Sequence, residues 1–173
     1  MEINIADLLA DKLVKPKQKT ELLSELLLEG KLTVSSMIKE AEKMKDPAKA
    51  TCIEAIEFAT QKNADLAKED CLKFMSDSLT HKAPRIKWES AKVIGNIAHK
   101  HSNKLDEAIS NLLKNTQHEG TVVRWSAAFA LGEIVKLKNK QHQGLVPELE
   151  KICEAEEKNS IKKIYLSAFK KLI

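Results

Sequence analysis

Turn-forming residues are few: the 173-residue chain holds five Gly and four Pro. An all-β chain needs many more tight turns than these supply, so long helical segments are the default expectation. Aromatic residues are scarcer still, at 4% of the chain, with four Phe, two Trp and one Tyr. The three cysteines, Cys52, Cys71 and Cys153, are odd in number, far apart and free of any CxxC pairing. That pattern excludes a disulfide framework and fits reduced thiols acting as small core hydrophobes in a cytosolic compartment. No stretch approaches the ~18 apolar residues of a membrane span. The N-terminal MEINIADLLADKL has no basic region followed by an apolar run. A soluble, cytoplasmic protein with no membrane partner is expected. Neither sign of charge dominates: 29 basic residues face 25 acidic ones, for a formal net charge of +4. This balance permits a nucleic-acid partner without arguing for one. There is no Gly-rich phosphate loop, no HExxH and no Ser-nucleophile motif, so no residue is assigned a catalytic role and no cofactor is expected.

What is present is 43% hydrophobic and 31% charged residues, the balance of an ordinary globular chain. Breaks fall near Lys15 and Pro16, Gly30 and Lys31, Asp46 and Pro47, Asn63, Ala83 and Pro84, Ser102 and Asn103, Glu119 and Gly120, Gly144, and Asn159. Between them apolar residues recur at three and four, which predicts about ten helices. Asp46 before Pro47 and Ala83 before Pro84 both read as an N-cap followed by proline in the first helical turn. The deciding signal is self-similarity. Ile86, Ser90, Val93, Ile94 and Ile97 superpose at an offset of 37 on Val123, Ala127, Ala130, Leu131 and Ile134. A further 38 positions reach Ile161, Tyr165, Ala168, Phe169 and Leu172, and 38 positions backward lie Ala48, Cys52, Ala55, Ile56 and Ala59. Two helices per period of this size mean an α-solenoid, whose repeats bury their apolar faces only by stacking. The expected fold is all-α, a right-handed solenoid of about five antiparallel helix pairs. It forms a single domain over 1–173, with an irregular N-terminal repeat or cap over 1–45 and more regular repeats over 46–173.

VVRWSAAFALGEI, residues 122–134, resembles the second helix of a HEAT repeat, in which a Val-Arg pair precedes small residues and then Ala-Leu-Gly. Val123, Arg124, Ala127, Ala128, Ala130, Leu131 and Gly132 carry the match, and RIKWESAKVIGNI at 85–97 repeats it. LVPELEKI, residues 145–152, is similar to that family's first helix, with Pro147 at the proline position. The resemblance is strongest over 84–173 and thins toward the N-terminus. It implies an inter-repeat ladder in which an aspartate five residues before the Val pairs with the arginine. Here His118 and His81 stand at that place, with Glu119 as the neighbouring alternative acid.

Advancing 100° per residue along 123–134 gathers Val123, Ala127, Ala130, Leu131 and Ile134 on one face and turns Trp125 to the other. Second helices of such a solenoid line its concave side, so the outward strip is the wall of a groove. Across the repeats it runs Ala50, Glu54, Glu57; Trp88, Lys92, Gly95, His99; Trp125, Phe129, Gly132, Lys136; Lys163, Ser167, Lys170. The two glycines are read as leaving room beside the tryptophans. Candidate partner-binding residues are Trp88, Lys92, His99, Trp125, Phe129, Lys136, Lys163 and Lys170, since clustered aromatics beside cations are the usual make-up of a binding hot spot. A second placement of Trp88 and Trp125 stays open: both lie in the first turn of their helices and can fold under the preceding loop to seal adjacent repeats.

The expected function is therefore a non-enzymatic binding module or scaffold whose concave face takes a protein or peptide, with the lysines selecting acidic residues in it. A nucleic-acid protein is the alternative. HEAT-like alkylpurine DNA glycosylases resemble this chain in carrying tryptophans and basic residues on a concave surface, and they add an aspartate among the aromatics. Here the nearest carboxylates are Glu89, Glu54 and Glu57, none on the strip between the tryptophans. Related repeats also occur in phycobilin lyases, a likeness that rests on the repeats alone. His99 and His101 do not share a helix face, and His81 and His118 sit at turns where they are read as helix caps, so no metal site is expected.

Overall fold

The computed structural model describes residues 3–173. It contains α1 (Ile5–Ala10), α2 (Pro16–Leu28), α3 (Val34–Glu42), α4 (Asp46–Lys62), α5 (Glu69–Ser78), α6 (Pro84–Ile97), α7 (Asp106–Asn115), α8 (Thr121–Lys136), α9 (Leu145–Ala155) and α10 (Asn159–Lys170). Short 3₁₀ turns lie at Ala64–Leu66, Ala98–Lys100 and Lys140–His142, and no strand occurs among the described residues. Among the described residues, no helix is long and apolar enough to cross a membrane.

Local chemistry sets the helix boundaries. Pro16, Pro47 and Pro84 stand in first turns, where a missing N–H costs nothing and the fixed φ suits a helix. The cap of α4 lies one residue earlier than expected, at Lys45, so that Asp46 is the first helical residue and sets its charge against the helix N-terminus. Thr33 and Ser36 close a reciprocal capping box at the start of α3. Gly30 ends α2 with φ +71°, and the amide of Lys31 bonds back to the Leu26 carbonyl, 3.0 Å away. Only a residue without Cβ adopts that conformation without strain.

The helices pair as α1/α2, α3/α4, α5/α6, α7/α8 and α9/α10, five hairpins in sequence. Each second helix packs on the next, α2 on α4, α4 on α6, α6 on α8 and α8 on α10, whereas the first helices touch more sparingly. An array held closer along one side curves toward that side, which makes the second helices its concave wall. Because α3 packs on α4, the stretch before residue 46 supplies both α1/α2 and the first helix of the second hairpin.

The repeated apolar positions form the core. Ile86, Ser90, Val93, Ile94 and Ile97 are buried, as are Val123, Ala127, Ala130, Leu131 and Ile134, then Ile161, Tyr165 and Ala168. In α4 Cys52, Ala55, Ile56 and Ala59 are buried, while Ala48 is half-buried at the helix start. Side-chain amides then stitch neighbouring repeats together. Asn96 donates to the Glu57 carbonyl (3.1 Å), Asn111 to Ser76 (3.0 Å), Asn115 to Leu79 (3.1 Å) and Asn139 to Ser102 (2.8 Å). Each bond spans about one repeat and ties a side-chain amide of one hairpin to a backbone carbonyl of the hairpin before it. Cys52, Cys71 and Cys153 are free and buried.

Candidate functional site

Three turns lead into the last three second helices, and all use the same device. His81 Nδ1 accepts from the Ala83 amide (3.0 Å), His118 Nδ1 from the Gly120 amide (2.9 Å), and Glu156 Oε1 from the Lys158 amide (2.9 Å). These residues occupy one register of the repeat, and each closes the turn at the N-cap residue's amide instead of capping an amide of the helix, which is where the histidines differ from the cap role expected of them. No group of three or more His, Cys, Asp or Glu side chains among the described residues is arranged to hold a metal ion.

The arginine ladder is present as one rung, with a different acid from the one expected. Arg124 Nε and Nη2 donate to the Glu156 carboxylate at 3.0 and 3.3 Å, and Nη1 donates to the carbonyls of His118 and Glu119. Glu119 therefore contributes its backbone, and the acid comes from the following repeat. Burial pushes the Glu156 carboxyl up, but bonds from Arg124 and the Lys158 amide, with the guanidinium charge, outweigh it and hold the carboxyl below its ordinary value. One repeat earlier Lys87 takes the arginine's place and reaches the Leu79 carbonyl and Asn115 instead.

The open face of the second helices is rotated slightly from the helical-wheel strip. Ala50 and Glu57 are buried, and each glycine both meets the next repeat closely and lines a hollow, Gly95 the one beside His99 and Gly132 the one between α8 and α10. A Cβ on Gly95 would lie 2.4 Å from Phe129 Cε1, and one on Gly132 would lie 3.3 Å from Ala168 Cβ. Both glycines thus admit the close approach of the next repeat, with Phe129 packed against Gly95, while the hollows they line stay open to this face. The wet row is Arg85, Trp88, Lys92, Asn96 and His99 on the α6 side, and Val122, Trp125, Phe129, Glu133 and Lys136 on α8.

On that row Trp125 is 38% exposed and its ring stacks on Phe129, centroids 6.0 Å apart. Trp88 is half-buried and donates its indole N–H to Glu89 Oε1 at 2.9 Å. Neither indole joins the apolar core. Lys92 does not project freely; it lies 3.3 Å from Glu89 and 3.4 Å from Glu57, both almost fully buried. Desolvation works against the Lys92 charge, but its two carboxylates prevail and hold its pKa above the ordinary lysine value. Glu54 is likewise taken, accepting from Arg85 and Thr20. His99 is exposed in its 3₁₀ turn, on the rim of a 490 Å³ hollow shared with Gln61, Asn96, Phe129 and Glu133.

A second hollow of about 380 Å³ opens between α8 and α10. Phe129, Ile164 and Ala168 supply its apolar lining, Gly132 its floor, and Lys136, Lys163 and Glu133 its polar rim. Lys136 is paired with Glu133 one turn back. Lys163 and Lys170 are exposed, and no ion pair among the described residues includes either, although Lys170 stands outside the hollow. Sequence reasoning passed over Asn96, Glu133 and Ile164, and weighed Glu89 only as a carboxylate near the tryptophans, not as the bonding partner of Trp88.

No family model and no curated protein matches this chain. Solved structures do. A designed armadillo repeat protein in complex with the peptide (KR)4 superposes with a TM-score of 0.75 at 19% identity, covering 98% of this chain and 80% of that one. This chain is an armadillo-like helical-repeat solenoid. Computationally designed armadillo repeat proteins for modular peptide recognition match with a TM-score of 0.72 at 18% identity, over 96% of this chain and 80% of theirs. A chain of the CpcE–CpcF complex of phycocyanin lyase from Nostoc matches with a TM-score of 0.67 at 19% identity, over 95% and 96%. At these identities the likeness establishes the solenoid and leaves the ligand open.

Proposed function

We propose that the chain is a non-enzymatic binding module whose concave, second-helix face takes a protein or peptide partner. The observation that carries the reading is Trp125, more than a third exposed and stacked on Phe129, which itself lines the hollow between α8 and α10. An exposed, pre-stacked aromatic pair beside an apolar hollow offers contact area with little further ordering. Lys163 at the rim is the cation left without an internal acid, so it would select a carboxylate next to the partner's apolar anchor. Lys92 and Lys136 already have carboxylates and add little to that choice. Solenoid neighbours described as bound to a peptide, designed for peptide recognition, or assembled with another subunit support a protein partner. The glycosylase alternative needs a carboxylate that substrate can reach, and the one nearest the tryptophans, Glu89, is 4% exposed and already bonded to Trp88 and Lys92.

The test is an affinity capture with the wild type and with a Trp125→Ala, Lys163→Glu variant, recovering both protein and nucleic acid from each eluate. A protein held by the wild type and lost by the variant supports the reading. Nucleic acid enriched on the wild type, with no such protein, overturns it in favour of the nucleic-acid alternative.

A further inference from the structure

The two tryptophans occupy one register of the repeat, yet the residue after each differs: Glu89 follows Trp88 and Ser126 follows Trp125. Adjacent residues on a helix point about 100° apart, so a bond between their side chains requires both to bend into one seam. Trp88 and Glu89 do this, with Nε1 donating to Oε1 at 2.9 Å. The other carboxylate oxygen accepts from Lys92 at 3.3 Å, and Lys92 reaches on to Glu57 of α4 at 3.4 Å. Glu89 and Glu57 are each 4% exposed, so the seam between α4 and α6 is dry around this chain of contacts. Ser126 instead donates to the Val123 carbonyl and leaves Trp125 with only its ring stack.

We infer that Glu89 is the positioning residue for Trp88: its buried carboxylate, braced by Lys92 against Glu57, fixes the indole on the concave face, and protonating that carboxylate releases the ring. The consequence for binding rests on the reading above; the tether itself does not. The charged surroundings of Glu89 are few. From α4 they are Glu54 and Glu57, and from α6 they are Lys92 and Arg85, the latter engaged with Glu54. The charges of α8 are paired elsewhere, Arg124 with Glu156 and Glu133 with Lys136, as are Lys73 and Asp77 of α5 and the Asp65–Lys100 pair in the 3₁₀ turns. Burial pushes the Glu89 carboxyl above its ordinary range, the Lys92 charge and the bonds from Trp88 and Lys92 oppose this, and Glu54 adds to it. Protonation on lowering the pH therefore begins before ordinary carboxylates titrate.

The experiment uses the full chain carrying Trp125→Phe, in which Trp88 is the sole indole, with a Trp88→Phe protein as the comparison. Acrylamide quenching and fluorescence anisotropy are read from about pH 8 to about pH 5, a span that stays above the ordinary carboxylate range. Trp88 should become more quenchable and less anisotropic as the pH falls, while Trp125 stays flat. Glu89→Ala should raise Trp88 quenching about twofold at neutral pH, because a charge-assisted hydrogen bond no longer holds the ring. Glu89→Gln stands for the uncharged acid and cannot titrate, so it should give the released signal at neutral pH and abolish the pH profile. Circular dichroism of each variant shows whether the fold is kept; if Glu89→Ala unfolds, the Glu89→Gln profile decides alone. A Trp88 signal unchanged by Glu89→Ala in a folded protein, or a pH profile that persists in Glu89→Gln, overturns the inference. Neither outcome depends on any partner, so loss of the binding reading and loss of the tether are told apart.

Discussion

Trp125 presents an indole whose removal leaves no sealed cavity, because solvent already reaches more than a third of it and one of its contacts is the stack on Phe129. Truncating a fully buried aromatic costs about 3–5 kcal/mol. Trp125→Ala is expected to cost clearly less than that in a denaturant melt, and a loss in the full core range would mean that the ring seals the repeats after all. The cysteines test burial from the opposite direction. Desolvation, with Glu40 adding to it, pushes the Cys52 thiol up to about 12, and desolvation with Asp70 does the same for Cys71. The thiolate is the reactive form, so both thiols should resist a disulfide reagent at neutral pH until the protein is unfolded. Prompt labelling of either in native buffer would show that α4 or α5 opens locally.

Within elements, the repeated core face was legible because four registers of one apolar pattern agree, and Ala127 and Ala130 are fully buried where that pattern puts them. Ala130→Leu should overpack the junction and cost about 1–3 kcal/mol, read as a lower denaturant midpoint. The opposite face was less legible. A wheel gives the direction of a side chain but not how closely the next helix approaches, so it does not show that Phe129 and Ala168 come up against Gly95 and Gly132 and bound the room beside them. Nor does a wheel show pairing: Lys92 reads as a free cation until Glu57 and Glu89 are brought beside it. The Arg124–Glu156 rung escaped for the same reason, since its acid lies in the following repeat. That rung carries its own pH signature. Glu156 titrates below its ordinary value in the folded chain, so it contributes stability that is present above the ordinary glutamate pKa and lost as the pH falls through the lowered one. Arg124→Met should flatten this acid limb of a pH-dependent melt, and an acid limb of unchanged depth would mean that the rung contributes nothing.

At the scale of the whole molecule, stability is a sum of hairpins and of the seams between them, because the main cross-repeat contacts join neighbours. The fold class was legible for that reason: the period itself is the architecture. The same locality makes protection uneven. α6 and α8 lie inside the row, each flanked by second helices on both sides, and each buries eight or nine residues. α1 has six residues, buries only Ile5, and packs chiefly on α2 and α3. A helix that short does not hold itself together in water, since nucleation is unfavourable and few hydrogen bonds follow it. Amide hydrogen exchange should therefore be fastest in α1, slowest in α6 and α8, and intermediate in α2 and α10, which have a second-helix neighbour on one side only. The gradient should steepen in mild denaturant, with α1 lost while α6 and α8 still exchange only by the largest opening. Uniform protection from α1 through α10, collapsing in one step, would mean that the repeats are coupled well beyond their neighbours, and the additive picture of this solenoid would fail.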